Sequence, residues 1–184
     1  MKQNAKYATV ILNGDEVKKC KEFAQQSWLN KKMKENANQW NVGLVPDNII
    51  IGLLGEFGFA KYFNLEMDFN YSEKGIPWDF ILKTRKIDVK TTKQGNYGHN
   101  LILRAKQNYH VFELESDIYF LCHLIHYDDT GATVELIGWK NKKNIEKLEM
   151  KKSYIGDHMI YEVLKDDLYD LEYFKKVLGL GEEK

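Results

Sequence analysis

Apolar positions recur with two different periods along this chain, and the changes of period mark its elements. The run NIIIGLLGEFGFAKYFN places Ile49, Leu53, Phe57, Ala60 and Phe63 at helical spacing, which predicts a helix capped by Asp47 and ending near Asn64. WDFIL and IDVKTT instead alternate, and the four residues KTRK between them predict a β-hairpin. DIYFLCHLIHY and ATVELIGWK read as two further strands joined by the turn DDTG, and MIYEVL as a last strand. Asp15 to Trp40 reads as a polar helix with Asp15 as its N-cap. LRAKQNYHVFELE also reads as helical, NKKNIEKLEMKK as a short charged helix, and DDLYDLEYFKKVLG as a final helix closed by Gly179. The linker NVGLVPD, the stretch Tyr71 to Ile76 and the stretch Gln94 to Asn100 read as irregular. The sum is an α/β (α+β) fold: a central mixed sheet flanked by helices, in a single domain over residues 1–184, with 1–45 as a helical N-terminal extension.

Composition narrows the classes. A chain of 184 residues, 43% hydrophobic and 29% charged, is long enough for one domain with a real core and too apolar to be disordered. No apolar run is long enough to span a bilayer, and the opening MKQNAKYATVILNGDEV lacks the core of a signal peptide. The two cysteines, Cys20 and Cys122, form neither a CxxC pair nor a disulfide framework, so they read as reduced thiols in a cytoplasmic protein. The 27 basic and 27 acidic residues cancel, which argues against indiscriminate polyanion binding. Locally they do not cancel: Lys83, Arg85, Lys86, Lys90, Lys93, Arg104 and Lys106 surround the single acid Asp88.

That basic stretch contains the candidate chemistry. With a turn centred on Thr84 and Arg85, Ile81 pairs with Asp88 and Asp79 with Lys90, so Asp79, Asp88 and Lys90 share one face. Phe80, Leu82, Ile87 and Val89 fall on the other face as an apolar surface. Two neighbouring carboxylates repel unless a cation lies between them. Mg²⁺ favours such oxygen ligands and keeps waters for a phosphate oxygen and a nucleophile, with Mn²⁺ able to substitute. A metal so held activates water against a phosphodiester, and the Lys90 ammonium can orient that water or stabilise the transition state.

A third acid falls inside the apolar stripe of the helix that Asp47 opens. Glu56 follows Leu53 by three residues and precedes Ala60 by four, so it points toward the sheet and needs a partner or a cation there. It is expected within about one water-bridged distance of the other acids, on the order of 4–7 Å. Gly52, Gly55 and Gly58 would let backbone or substrate approach that helix closely.

Glu56 on an early helix, Pro77-Trp78-Asp79 on one strand and Asp88-Val89-Lys90 on the next resemble the PD-(D/E)XK nuclease superfamily. The resemblance covers about Asp47 to Lys93, with a tryptophan placed between the proline and the acid. It implies a restriction-endonuclease-like core. It implies that Asp79 and Asp88 bind Mg²⁺ together with the Val89 carbonyl, that Lys90 serves the nucleophilic water, and that Glu56 assists the metal. Some related nucleases also place a glutamine on the element after the DxK strand, which brings in Gln107 beside Tyr109.

Other residues point elsewhere. His123 and His126, three apart on a strand, lie on opposite faces and make no metal pair. Tyr97 and His99 could stack on bases, but read as ordinary loop residues. Trp28, Trp40, Trp78 and Trp139 read as packing residues. The expectation is a Mg²⁺-dependent nuclease acting on DNA rather than RNA, as an endonuclease, with a homodimer where both strands are cut. The alternatives are a non-catalytic nucleic-acid-binding protein on the same fold and a structural or regulatory interaction protein.

Overall fold

The computed structural model describes residues 7–35, 47–67, 69, 78–93, 100–107, 110–154 and 157–180. The expectations on Trp40, the linker before Asp47, Tyr71 to Ile76, Pro77, Tyr97, His99 and Tyr109 lie outside them.

The main sheet has five strands: β1 (Ala8–Asn13), β2 (Phe80–Leu82), β3 (Arg85–Lys93), β6 (Ile118–Tyr127) and β7 (Gly131–Asn141), in the order β1-β7-β6-β3-β2. β3 runs parallel to β6 and every other pair is antiparallel, so the sheet is mixed, as expected. A second, antiparallel sheet has the order β5-β4-β9-β8, built from β4 (Leu101–Gln107), β5 (His110–Val111), β8 (Lys151–Lys152) and β9 (Met159–Val163). Helices α1 (Gly14–Glu35), α2 (Asp47–Tyr62) and α4 (Leu171–Val177) cover one face of the main sheet. The other face packs on the second sheet and on the single turn α3 (Lys142–Ile145), through Leu101, Leu103, Tyr119, Leu121, Ile137, Ile145 and Val163.

Four readings change, and one is brief: the charged segment Asn141–Lys152 is helical only over the single turn α3, and its Lys151–Lys152 pair as β8. The segment from Leu101 is extended rather than helical: Leu101, Leu103 and Ala105 are buried while Ile102 and Arg104 are not, a period of two that its helix-favouring Lys and Gln residues conceal. The second face is therefore covered by a sheet where helices were expected. The stretch 1–45 is not wholly a helical extension, because β1 is an edge strand of the main sheet with Val10 and Leu12 in the core. The N-cap of α1 is Asn13 rather than Asp15. Its Oδ1 accepts from the Glu16 N–H (3.0 Å) and Glu16 Oε2 accepts from the Asn13 N–H (2.7 Å), a reciprocal capping box.

The helix α2 positions the site. It ends where Asn64 takes φ 52° and the Leu65 N–H reaches back to the Ala60 carbonyl (2.8 Å), a left-handed stop. Phe59, fully buried, anchors it among Phe63, Phe80, Phe120 and Phe174 at centroid distances of 4.7, 5.3, 5.0 and 6.1 Å. Gly55 lets the helix settle onto β3: a Cβ there would lie 1.8 Å from Thr91 Oγ1. Gly58 does the same against Val134 of β7, at 2.8 Å.

Candidate active site at the open edge of the third strand

The β2–β3 hairpin forms, but its turn sits one residue earlier than expected. Leu82 pairs with Arg85 and Ile81 with Lys86, leaving Lys83 (φ 59°) and Thr84 as the two-residue turn. The slide brings Phe80 opposite Ile87 and into the Phe59 ring cluster. Moving the turn by one residue at constant loop length shifts each pairing by two positions, so faces are preserved. Phe80, Leu82, Ile87 and Val89 are buried together, as expected. Asp88 and Lys90 lie on the opposite face, where their β6 register partners Tyr119 and Leu121 meet the second sheet. The expected pairing of Asp79 with Lys90 is not made.

The ladder ends at Phe80 and Ile87, so β2 covers only the first part of β3. Asp79 stands where the strands part. Its N–H still donates to the Ile87 carbonyl (2.9 Å), while its Oδ2 accepts from the Val89 N–H (2.6 Å). A carboxylate thus replaces the strand partner that β2 no longer provides. In a strand a residue's N–H and C=O project from the same edge, so the Val89 carbonyl shares with Asp79 this edge, which no strand among the described residues covers.

The acids meet from both faces. Asp88 and Lys90 form an ion pair, Oδ1 to Nζ 2.6 Å, with the Asp88 side chain 13% and the Lys90 side chain 44% exposed. Glu56 approaches from the helix-covered face. It is half-buried and folds back along α2, with Oε1 3.9 Å from where a Gly52 Cβ would stand. The two faces therefore join only around the open edge of β3.

The electrostatics record this gathering. Burial, then the charge of Asp88, push Glu56 up to about 7 against the opposing pull of Lys90. Asp79 is pushed up to about 8 by crowding around its carboxylate, then by the charges of Glu56 and Asp88, against the Val89 hydrogen bond and Lys90. Asp79 is an exposed residue, so solvent screens part of this push. Among the described residues Lys90 is the ammonium that opposes both shifts, and a proton or a further cation would relieve the repulsion that remains. The thiols behind Glu56 are inert: burial, then the charges of Glu56 and Glu16, push Cys20 up to about 12, and burial raises Cys122 as well. Both are free and buried.

Among the described residues, no three or more His, Cys, Asp or Glu side chains converge closely enough to hold a metal ion by themselves. Two carboxylates, Asp79 and Asp88, and the Val89 carbonyl edge are the hard-oxygen set present, with Glu56 beyond them. That set suits an ion such as Mg²⁺, which commonly takes one or two carboxylates and keeps several waters.

Two neighbours were not anticipated in these roles. Tyr119 lies beside Asp88 in the β3–β6 register, and its hydroxyl oxygen accepts from the Ser116 N–H (3.2 Å). Burial and the Asp88 charge push the phenol up to about 12 against its Ser116 hydrogen bonds. Trp78, next to Asp79, carries the Lys86 ammonium 3.8 Å from its ring centroid. The signal for Tyr119 was its place opposite Asp88, which needed the parallel register. His123 and His126 stay apart from the site: His123 lies 3.7 Å from Glu135 and His126 3.0 Å from Asp128. Gln107 ends β4, a strand and not the expected helix.

No family model, curated protein or solved structure matches this chain. Among the described residues, no helix is long and apolar enough to cross a membrane.

Proposed function

We propose that this protein is a Mg²⁺-dependent nuclease on a restriction-endonuclease-like core, hydrolysing phosphodiester bonds within DNA in the cytoplasm. The observation that carries the reading is the charge imbalance at the open edge of β3. Glu56, Asp79 and Asp88 act on one another there, opposed among the described residues by Lys90 and, at Asp79, by the Val89 N–H. A fold gains nothing from such repulsion, and a structural role would be served better by pairs. Asp79, Asp88 and the Val89 carbonyl would hold the ion, with Glu56 reaching it through water. When bound, Mg²⁺ supplies Lewis-acid activation of water and neutralisation of phosphate charge.

The chain's own groups divide the remaining work. Lys90 gives up part of its contact with Asp88 and turns its ammonium to the attacking water or a phosphate oxygen. Glu56, titrating near neutrality, can take or return a proton at its carboxylate oxygen. The Val89 N–H fixes Asp79 so that its second oxygen remains for a ligand. Cutting both strands calls for two such sites, hence a homodimer acting on duplex DNA.

A second reading has two observations in its favour. The closed Asp88–Lys90 pair, together with the lack of a three-acid cluster among the described residues, suits a non-catalytic nucleic-acid-binding protein on the same fold. A cleavage assay over linear duplex, single-stranded, branched and RNA substrates with Mg²⁺, Mn²⁺ or EDTA separates the two. Metal-dependent DNA cleavage that is lost in Asp88→Asn supports the nuclease. Binding that is indifferent to metal, with no cleavage of any substrate, supports the rival.

A further inference from the structure

At the other end of β3 the sheet encloses a cavity of about 350 Å³ that the proposed chemistry does not use. It opens where β3 and β6 begin and β7 ends, and its apolar wall is Ile118, Trp139 and Val177. Its rim holds Arg85, Asn141, Lys142 and Lys143 with the acids Asp117 and Glu146.

The acids are largely committed. Asp117 Oδ2 accepts from the Lys86 N–H (3.0 Å), and the Asp117 backbone donates to the Lys86 carbonyl (2.9 Å). Glu146 lies 3.7 Å from Lys142. Asn141 Oδ1 accepts from the Asn144 N–H (2.9 Å), which leaves its amide NH₂ to donate elsewhere. Arg85 and Lys143 are exposed, and no acid pairs with either among the described residues. Two exposed cations that no described acid pairs with, and an amide donor, over an apolar wall match one nucleotide unit, with phosphate outside and sugar or base inside. The volume is at the lower end of ligand pockets.

The placement relates the cavity to the site. Arg85 and Asp88 are three residues apart on one strand, about 10 Å at roughly 3.3 Å per residue. We infer that this cavity is a second nucleotide subsite, in which Arg85 and Lys143 hold a backbone phosphate of the same nucleic-acid strand that crosses the open edge of β3. The inference rests on the nuclease reading for its ligand. The subsite anchors the strand and leaves the chemistry at Asp79, Asp88 and Lys90 unaltered.

The test measures binding of a fluorescein-labelled DNA oligonucleotide in EDTA across a salt series, and cleavage of the same DNA with Mg²⁺, for wild type, Arg85→Ala/Lys143→Ala and Val177→Glu. Val177 is 47% exposed at the cavity wall, so the glutamate places a repelling charge without disturbing the core. The double variant should bind about tenfold more weakly, with a log–log salt slope shallower by about two. Its KM should rise while kcat moves less than twofold, and Val177→Glu should weaken binding in the same direction. Unchanged slope and KM in a double variant whose wild type cuts would overturn the subsite and leave the nuclease standing. A wild type that binds no DNA would overturn both. A wild type that binds without cutting, with the slope still reduced in the variant, would overturn the nuclease alone.

Discussion

Two hairpins of the main sheet are built alike and finished differently. β6–β7 pairs along almost its whole length, and its turn is closed by Asp128, whose Oδ1 accepts from the Thr130 N–H (2.7 Å), the Thr130 hydroxyl (2.6 Å) and the Gly131 N–H (3.2 Å). β2–β3 pairs over three residues and then leaves β3 uncovered, with a carboxylate in place of a strand. The first buries every residue of β6 from Ile118 to Leu124. The second gathers Asp79 and Asp88 near Glu56, with Lys90 as the ammonium that opposes them. The buried core lies in the complete hairpin, and the proposed chemistry lies where the other one stops.

Substitutions can break that division, beginning with the largest expected effect. Asp79→Ala, Asp88→Ala or Lys90→Ala should lower cleavage by at least about 10²–10³-fold, with circular dichroism and the urea m-value unchanged. A Lys90→Ala protein cutting at the wild-type rate would remove lysine from the mechanism. The converse is Phe120→Ala in the complete hairpin. It should cost about 3–5 kcal/mol of unfolding free energy, since Phe120 is fully buried among Phe59 and Phe174.

Gly55→Ala sharpens the comparison by moving one element against the other. Its Cβ has no room beside Thr91, so α2 must lift from β3. The expected loss is about 1–3 kcal/mol, together with weaker Mg²⁺ activation because Glu56 moves with the helix. Urea unfolding gives the first and a Mg²⁺ titration of activity the second. Retained Mg²⁺ affinity would mean that Glu56 does not serve the ion.

The smallest effect is a pH slope. The carboxyls of Glu56 and Asp79 hold their protons more tightly in the folded state than in the unfolded chain. Their contribution is therefore fully present below the ordinary carboxyl range and lost as pH rises through about 7 to 8. Metal-free protein should melt at a lower temperature at pH 8.5 than at pH 5.5. Added Mg²⁺ or Glu56→Gln should flatten the slope. A slope of the opposite sign in the wild type would show that the acids are not crowded together.

The hairpin was legible because a period of two survives a misplaced turn. Asp88, Lys90 and the apolar set fell on their faces even though Lys83 rather than Arg85 occupies the turn. Glu56 was legible from its place inside an apolar stripe. That it arrives from the face opposite Asp88 was not, because nothing local tells on which side of a sheet a helix will pack. The second sheet was hidden by residues such as Arg104 and Lys106, whose helical preference outweighed the alternation of Leu101, Leu103 and Ala105. β1 was too short to stand out before its partner β7 was known. Asn13 was passed over as a cap because Asp15 is the more conspicuous residue, while the reciprocal Glu16 contact decides the matter.

The order of strands also governs when the acids can be assembled. β3 lies between β2, its neighbour in sequence, and β6, whose register partners begin at Ile118, while β1 waits for β7, ending at Asn141. Such distant pairings are slow to form, since loop closure must precede any gain from contact. A growing chain that has just made Asp79, Asp88 and Lys90 still lacks the strands that set them in place. Asp79 and Asp88 can meet within the β2–β3 hairpin, but the sheet on which α2 and its Glu56 rest is complete only after β6–β7 docks, so the topology delays the proposed site until the domain is nearly whole.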